Sequence, residues 1–305
     1  MEIKKLLAAS IIAGLSTTAT AGTIEIGSEV EELNSEYKTS DFMLPYLKAT
    51  AQPFEGVPLT ISFKFSDRQM FEDEVAANGR ARQEYGIDYV AYAGEKFTFA
   101  PGFWLRHNEY AGKNTTDTEY RIYPNMSYQL NDTFKVALNG FFAPHSQTTT
   151  PRGADIANAE DGERFDYSDY KHELDFQLHT AINDKSKFVT SFYNEYVKTN
   201  DVTMADEQAL MNEWQLRLVY TYNFDNFSVS PFARINLHRS FENGAGEEKD
   251  QARNRFGVKG GYNFANDLTL VYEVYTQTEE KNNYDNTSDV DQDKMFYKLG
   301  VKYDF

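Results

Sequence analysis

The chain of 305 residues has no cysteine, so it has no disulfide framework, no thiolate metal site and no cysteine nucleophile. It also lacks a long apolar run: no stretch approaches the roughly 18 to 20 consecutive apolar residues that a membrane-spanning helix requires. Basic residues are in deficit, 30 against 47 acids, and the formal net charge of −17 repels nucleic acid and excludes it as a partner. No proline-, serine- or glycine-rich linker divides the chain, so a single domain is expected after the N-terminal segment.

Aromatic residues are abundant instead. The mean hydropathy of −0.62 describes a polar protein, yet the chain carries 21 Tyr and 23 Phe. That is too much aromatic surface for a disordered polypeptide. Aromatic excess without a spanning helix is what the interfacial girdles of an outer-membrane β-barrel require.

The N-terminus carries a targeting pattern. Lys4 and Lys5 precede an apolar run from Leu6 to Leu15, followed by Ala19-Thr20-Ala21. Residues 1–21 are therefore expected to be a cleaved secretory signal peptide, leaving 22–305 as one barrel domain in the outer membrane of a Gram-negative cell.

The far end of the chain alternates with period two. Met295, Tyr297, Leu299, Val301, Tyr303 and Phe305 fall on one side of an extended strand, and Phe296, Lys298, Gly300, Lys302 and Asp304 on the other. Successive side chains of a strand point to opposite faces, so this pattern suits lipid on one side and water on the other. The same alternation recurs over Leu59–Ser66, Tyr120–Leu130 and Trp214–Tyr222. Short connections fall at Gly94-Glu95, Asn131-Asp132, Asn183-Asp184, Asp225-Asn226 and Asn266-Asp267, which supply the backbone of tight turns. Longer polar connections fall near 69–82, 109–117, 146–165, 200–205, 242–252 and 281–292.

The fold class expected from this pattern is all-β: an antiparallel up-and-down transmembrane barrel with short periplasmic turns and long extracellular loops. Its strands are placed near 23–33, 41–51, 58–68, 83–93, 97–108, 118–130 and 133–144. Seven more are placed near 166–182, 187–199, 206–222, 227–240, 253–264, 267–280 and 293–305, making fourteen. A soluble β-sandwich or barrel is the bland alternative, but it gives no reason for the girdle-like aromatics or the terminal Phe305.

With the apolar face on lipid, the other face lines the interior. A barrel of eight strands can fill itself with side chains, whereas a wider one encloses water. Strand parity places Arg82, Arg106, Arg121, Arg217, Arg234 and Arg255 inward, with Lys64, Lys135, Lys259, Lys298 and Lys302. It also places Glu84, Asp88, Glu173, Asp175 and Glu273 inward. Mixed fixed charge implies weak ion selectivity, and the acidic loops bias the outer mouth towards cations. For any single arginine, a bracing salt bridge between strands is the simpler role.

Several segments resemble the outer-membrane porin G family. They are Val229-Ser230-Pro231-Phe232-Ala233-Arg234-Ile235, Asn254-Arg255-Phe256-Gly257-Val258, Gly261-Tyr262-Asn263-Phe264 and the closing Leu299–Phe305. A weaker likeness runs through Tyr120–Pro124 and Asn131-Asp132. The resemblance implies a monomeric porin of fourteen strands passing small solutes and oligosaccharides, with Arg217 and Arg234 as lumen arginines and Arg82 and Arg106 matching less securely. The histidine pair behind acid gating in that family has no counterpart here, since the corresponding positions fall near Asn226 and Gln251. His238 stands without a histidine partner and is expected at the lumen or rim, so no histidine-driven closure is expected.

The function expected is passive, weakly selective diffusion of ions, small hydrophilic solutes and sugars, with no enzyme activity. None of the five histidines stands beside a nucleophile elbow, and Asp169, His172 and Asp175 read as rim or lumen polarity. A porin selective for acidic oligosaccharides and a surface-binding barrel acting through the 146–165 loop remain as alternatives. The oxygen-rich stretch Asp285–Asp293 lacks the glycine and terminal glutamate of a calcium loop, so no metal or cofactor is expected. Expected partners are outer-membrane lipid and lipopolysaccharide around the wall, and the barrel-insertion machinery at the C-terminal strand with Tyr297, Leu299, Val301, Tyr303 and Phe305.

Overall fold

A computed structural model describes residues 21–33, 41–71, 79–111, 116–148, 167–202, 207–264, 267–282, 284 and 290–305. Residues 1–20 of the expected signal peptide and most of the 146–165 connection lie outside the described residues, as do Asp285–Asp289 of the acidic stretch, whereas Ala21 opens the first strand. The first strands are β1 (Ala21–Leu33), β2 (Phe42–Gln52), β3 (Leu59–Met70), β4 (Arg80–Tyr89) and β5 (Tyr92–Ala93). They are followed by β6 (Phe97–Phe99), β7 (Gly102–Tyr110), β8 (Thr116–Tyr123) and β9 (Met126–Gln129). Longer strands complete the chain: β10 (Phe134–Thr148), β11 (Tyr167–Asn183), β12 (Ser186–Lys198) and β13 (Gln208–Asn223). The last are β14 (Phe227–Asn243), β15 (Glu248–Asn263), β16 (Leu268–Lys281) and β17 (Val290–Asp304).

Each strand pairs antiparallel with its neighbours, and β1 pairs with both β2 and β17, so the sheet closes into a barrel. The seventeen segments make fourteen spans, because β4 and β5, β6 and β7, and β8 and β9 are each one span in two pieces. The continuous strands expected at 83–93, 97–108 and 118–130 are thus interrupted. Two of the breaks contain Pro101 and Pro124, which have no N–H to give to the ladder. The breaks lie on adjacent spans and are bridged by Tyr89 N–H to Pro101 O at 3.0 Å and Ala100 N–H to Asn125 O at 2.8 Å.

The loop expected at 242–252 is much shorter. β14 runs to Asn243 and β15 begins at Glu248, so Glu248, Lys249 and Asp250 belong to a strand. Asn243 organises the turn, its Oδ1 accepting from Ala245 N–H at 3.1 Å and Glu247 N–H at 2.8 Å. Strands that outrun the apolar band meet water on both faces, so charged residues there do not mark a loop.

The outer wall is apolar through its middle. Ile26 and Leu299 are each 59% exposed, and Phe192, Phe103 and Phe256 stand out beside them. Such exposure would be costly in water and is favourable against acyl chains. At the short-turn end an aromatic girdle runs through Tyr222, Phe224, Phe227 and Tyr272, with ring centroids 4.6, 5.5 and 6.4 Å apart. At the long-loop end Tyr170, His172 and Tyr196 pack together, with the His172 and Tyr196 rings stacked at 5.4 Å.

The C-terminal alternation is realised at the closure seam. Tyr297, Leu299, Val301 and Tyr303 share the lipid face with Val30, Ser28, Ile26 and Ile24 of β1. Phe305 then exchanges backbone hydrogen bonds with Gly22 at 2.8 and 3.0 Å, and its ring occupies the space that any side chain at Gly22 would need.

Candidate functional site

The inner wall carries the charge. Register pairing puts fourteen of the sixteen charged side chains expected to line the interior on that one face, from Lys64 beside Glu84 to Lys259 beside Glu273. Lys298 and Lys302 share it, opposite Glu29 and Glu25.

Six of these groups, Lys64, Glu84, Arg106, Arg121, Glu173 and Lys298, belong to a belt of alternating sign. Lys64 and Arg106 each lie 3.2 Å from Glu84, and Arg106 also approaches Glu119 at 3.9 Å. Arg121 clamps Glu119 and lies 3.8 Å from the centre of the Phe141 ring. Both fall within the electrostatic reach of Lys171, which binds Glu173 at 3.2 Å and Glu195 at 3.6 Å. Arg253 joins Glu195 to Glu213, and Arg239 joins Glu213 at 3.5 Å to Glu279 at 3.1 Å. Lys294 continues to Glu31 at 3.2 Å. At the seam, Glu25 accepts from Tyr46 at 2.7 Å and pairs with Lys298 at 3.1 Å and Lys48 at 3.4 Å.

Several of the other expected residues have individual partners. Arg82 donates to Asn108 Oδ1 at 2.8 Å. Asp88 accepts the Trp104 indole N–H, with both oxygens at 3.2 Å, while the indole lies over Gly86, where any Cβ would overlap it. Asp175 accepts from Gln177 at 2.8 Å, and Lys135 sits between Gln129 and His179. Arg217, Arg234 and Arg255 stand side by side on β13, β14 and β15, each directly opposite the next.

One member of the belt, Arg239, escapes a reading by parity alone. Counting in twos from Arg234 puts His238 inward and Arg239 outward. The structure reverses both, because the register slips between Trp214 and Gln215, where β14 has an extra residue at Leu237. This β-bulge turns Arg239 into the belt and leaves His238 on the outer rim, beside Ser240 at 3.1 Å. Arg253 opens the strand expected at 253–264 and alternates with Arg255. Glu119, Lys171, Glu195 and Glu279 obey simple alternation and could have been found by it.

The acid and histidine grouping Asp169, His172 and Asp175 does not form. Asp169 and Asp175 lie on the inner face, whereas His172 lies on the outer face and hydrogen-bonds Asn194 at 2.7 Å. Among the described residues, no three His, Asp or Glu side chains converge as metal ligands.

No family model matches the chain, and no curated protein matches it. Solved structures do. The monoaromatic hydrocarbon channel CymD superposes with a TM-score of 0.55 at 8% identity, over 96% of this chain and 91% of its own. The toluene transporter TodX of Pseudomonas putida superposes with a TM-score of 0.52 at 11% identity, over 96% and 92%. At such identities the likeness establishes the fold alone, that of bacterial outer-membrane barrels. The apolar outer wall places the chain in that membrane.

Proposed function

We propose that the barrel is a passive channel for ions, small hydrophilic solutes and sugars, with weak selectivity. One observation carries this reading: among the described residues, every inner ion pair joins strands no more than three apart around the wall, and none crosses the axis. Fourteen strands spaced about 4.8 Å apart and tilted by about 40° stand roughly 14 Å from the axis, which leaves a water-filled core inside side chains that lie along the wall. Charges of both signs alternate in the belt, so neither ion is strongly excluded.

A charged inner wall suits water-borne solutes, so the hydrocarbon cargo named for CymD is not carried over. The resemblance to the porin G family supports a monomer that also passes oligosaccharides. Lipid and lipopolysaccharide would surround the wall, and the insertion machinery would engage β17. The reading is non-catalytic, in keeping with His172 facing away from Asp169 and Asp175.

Liposome swelling with neutral and anionic sugars of graded size tests it. Swelling with both classes, falling off with size, is expected. Swelling with anionic sugars alone would favour a selective porin, and none at all would favour a surface-binding barrel.

A further inference from the structure

Two groups of inner-wall arginines are held in different ways. Arg106, Arg121, Arg239 and Arg253 lie against carboxylates. Arg217, Arg234 and Arg255 lie against aromatic rings: Arg217 is 3.3 Å from the centre of Tyr193, Arg234 5.6 Å from Phe232, and Arg255 5.2 Å from Tyr275. Lys259 sits beside them, 5.7 Å from the Phe232 ring. Among the described residues no carboxylate comes within 4.0 Å of any of these four cations. Glu273 faces Lys259 in register and its field reaches Arg234, but it stays beyond ion-pair distance of both.

Like charges directly opposite one another on adjacent strands destabilise a sheet. Here the arrangement occurs twice in succession, Arg217 against Arg234 and Arg234 against Arg255. The rings beneath are packed and rigid: Phe232, Tyr275 and Phe296 form a buried cluster in which Tyr275 and Phe296 stack at 4.5 Å. Glutamines hold the near ends of two guanidinium groups, Gln215 accepting from Arg217 Nε at 2.9 Å and Gln277 from Arg255 Nε. The far nitrogens carry most of each group's five N–H donors, in a fork that fits carboxylate or phosphate oxygens. Stacking fixes the forks in place without neutralising them.

We infer that the Arg217–Arg234–Arg255 row, with Lys259, is a binding site in the channel for multivalent oxyanions. Strands lie about 4.8 Å apart, so three forks span roughly 10 Å and would engage two or three acidic groups of one extended solute at once. A monovalent anion would meet a single fork, and a neutral sugar would meet none. The inference deepens the channel reading above and rests on it for the solute's path to the site.

Calorimetric titration of the detergent-solubilised barrel tests the site without relying on conduction. The probes are citrate and tripolyphosphate, with acetate and maltotriose for comparison. At least one multivalent probe is expected to bind about tenfold or more tightly than acetate, and the tighter of the two identifies the preferred acidic group. Arg234→Gln and Arg255→Gln should each weaken that binding by about tenfold, while the unboiled variants keep the electrophoretic mobility of a folded barrel. Binding no tighter than acetate for both probes, or binding unchanged in both folded variants, would overturn the site. Bilayer recordings on the same preparation separate the two readings. Conductance without multivalent binding would sink the site alone, and binding without conductance would sink the channel while leaving the site.

Discussion

Arg253 on β15 reaches past β14 to the carboxylate of Glu213 on β13, a side chain with no solvent exposure. Arg239 approaches the same carboxylate from β14, so a single acid ties together three consecutive strands. Exposed ion pairs contribute about 1 kcal/mol or less, but a buried one leaves its partner stranded when broken.

Glu213→Gln should therefore destabilise the barrel by about 3 kcal/mol or more, the scale for removing one member of a buried pair. Guanidinium unfolding in detergent, followed by tryptophan fluorescence, would show a lower midpoint. A midpoint equal to that of the parent would mean that the belt is dispensable.

Gly86 leaves room for the Trp104 ring, which in turn donates to Asp88. Gly86→Val should displace the indole, cost about 1 to 3 kcal/mol and expose Trp104 to lumen water. The chain has two tryptophans, so a Trp214→Phe background isolates the signal, and its emission should shift to the red. Unshifted emission would contradict this packing.

Arg234 has no carboxylate partner within ion-pair distance among the described residues, whereas Arg121 neutralises Glu119. Arg234→Ala should raise the cation-to-anion permeability ratio by about twofold, the effect of removing one of a few fixed charges around a pore. Arg121→Ala should raise it as well and also lower stability, because buried Glu119 loses its close partner and keeps only Arg106 at 3.9 Å. Reversal potentials across a salt gradient measure both, and unchanged potentials would mean that these side chains do not set the pore's field.

His172 and His238 sit on the outer face, away from the lumen. A charge on either imidazole stands outside the channel, so any change in conductance between about pH 7 and about pH 5.5 should be the same in His172→Ala and His238→Ala as in the parent. A reversible collapse abolished by His238→Ala would contradict this placement.

Much of the barrel was legible because lipid and water impose opposite demands on the two faces of each strand. β17 shows this plainly, since Leu299 and Val301 cannot exchange places with Lys298 and Lys302. Legibility failed where that contrast ends. Above the apolar band, Glu248 to Asp250 look like loop because both faces are wet, which concealed the start of β15. A bulge at Leu237 inverted the parity on which Arg239 depends, and nothing local in the residues there announces one. The row of three arginines could be assembled only from cross-strand register, which alternation within a strand does not supply.

Arg255 and Phe256 are consecutive residues assigned to opposite sides of the wall, one to water and one to lipid. The natural chain has no cysteine, so Arg255→Cys and Phe256→Cys each introduce a single thiol. A charged, membrane-impermeant thiosulfonate applied to the reconstituted barrel should modify Arg255→Cys rapidly and change its conductance, and leave Phe256→Cys untouched. Equal modification at both positions, or modification at Phe256→Cys alone, would contradict a barrel that turns its charged face to water and its apolar face to the membrane.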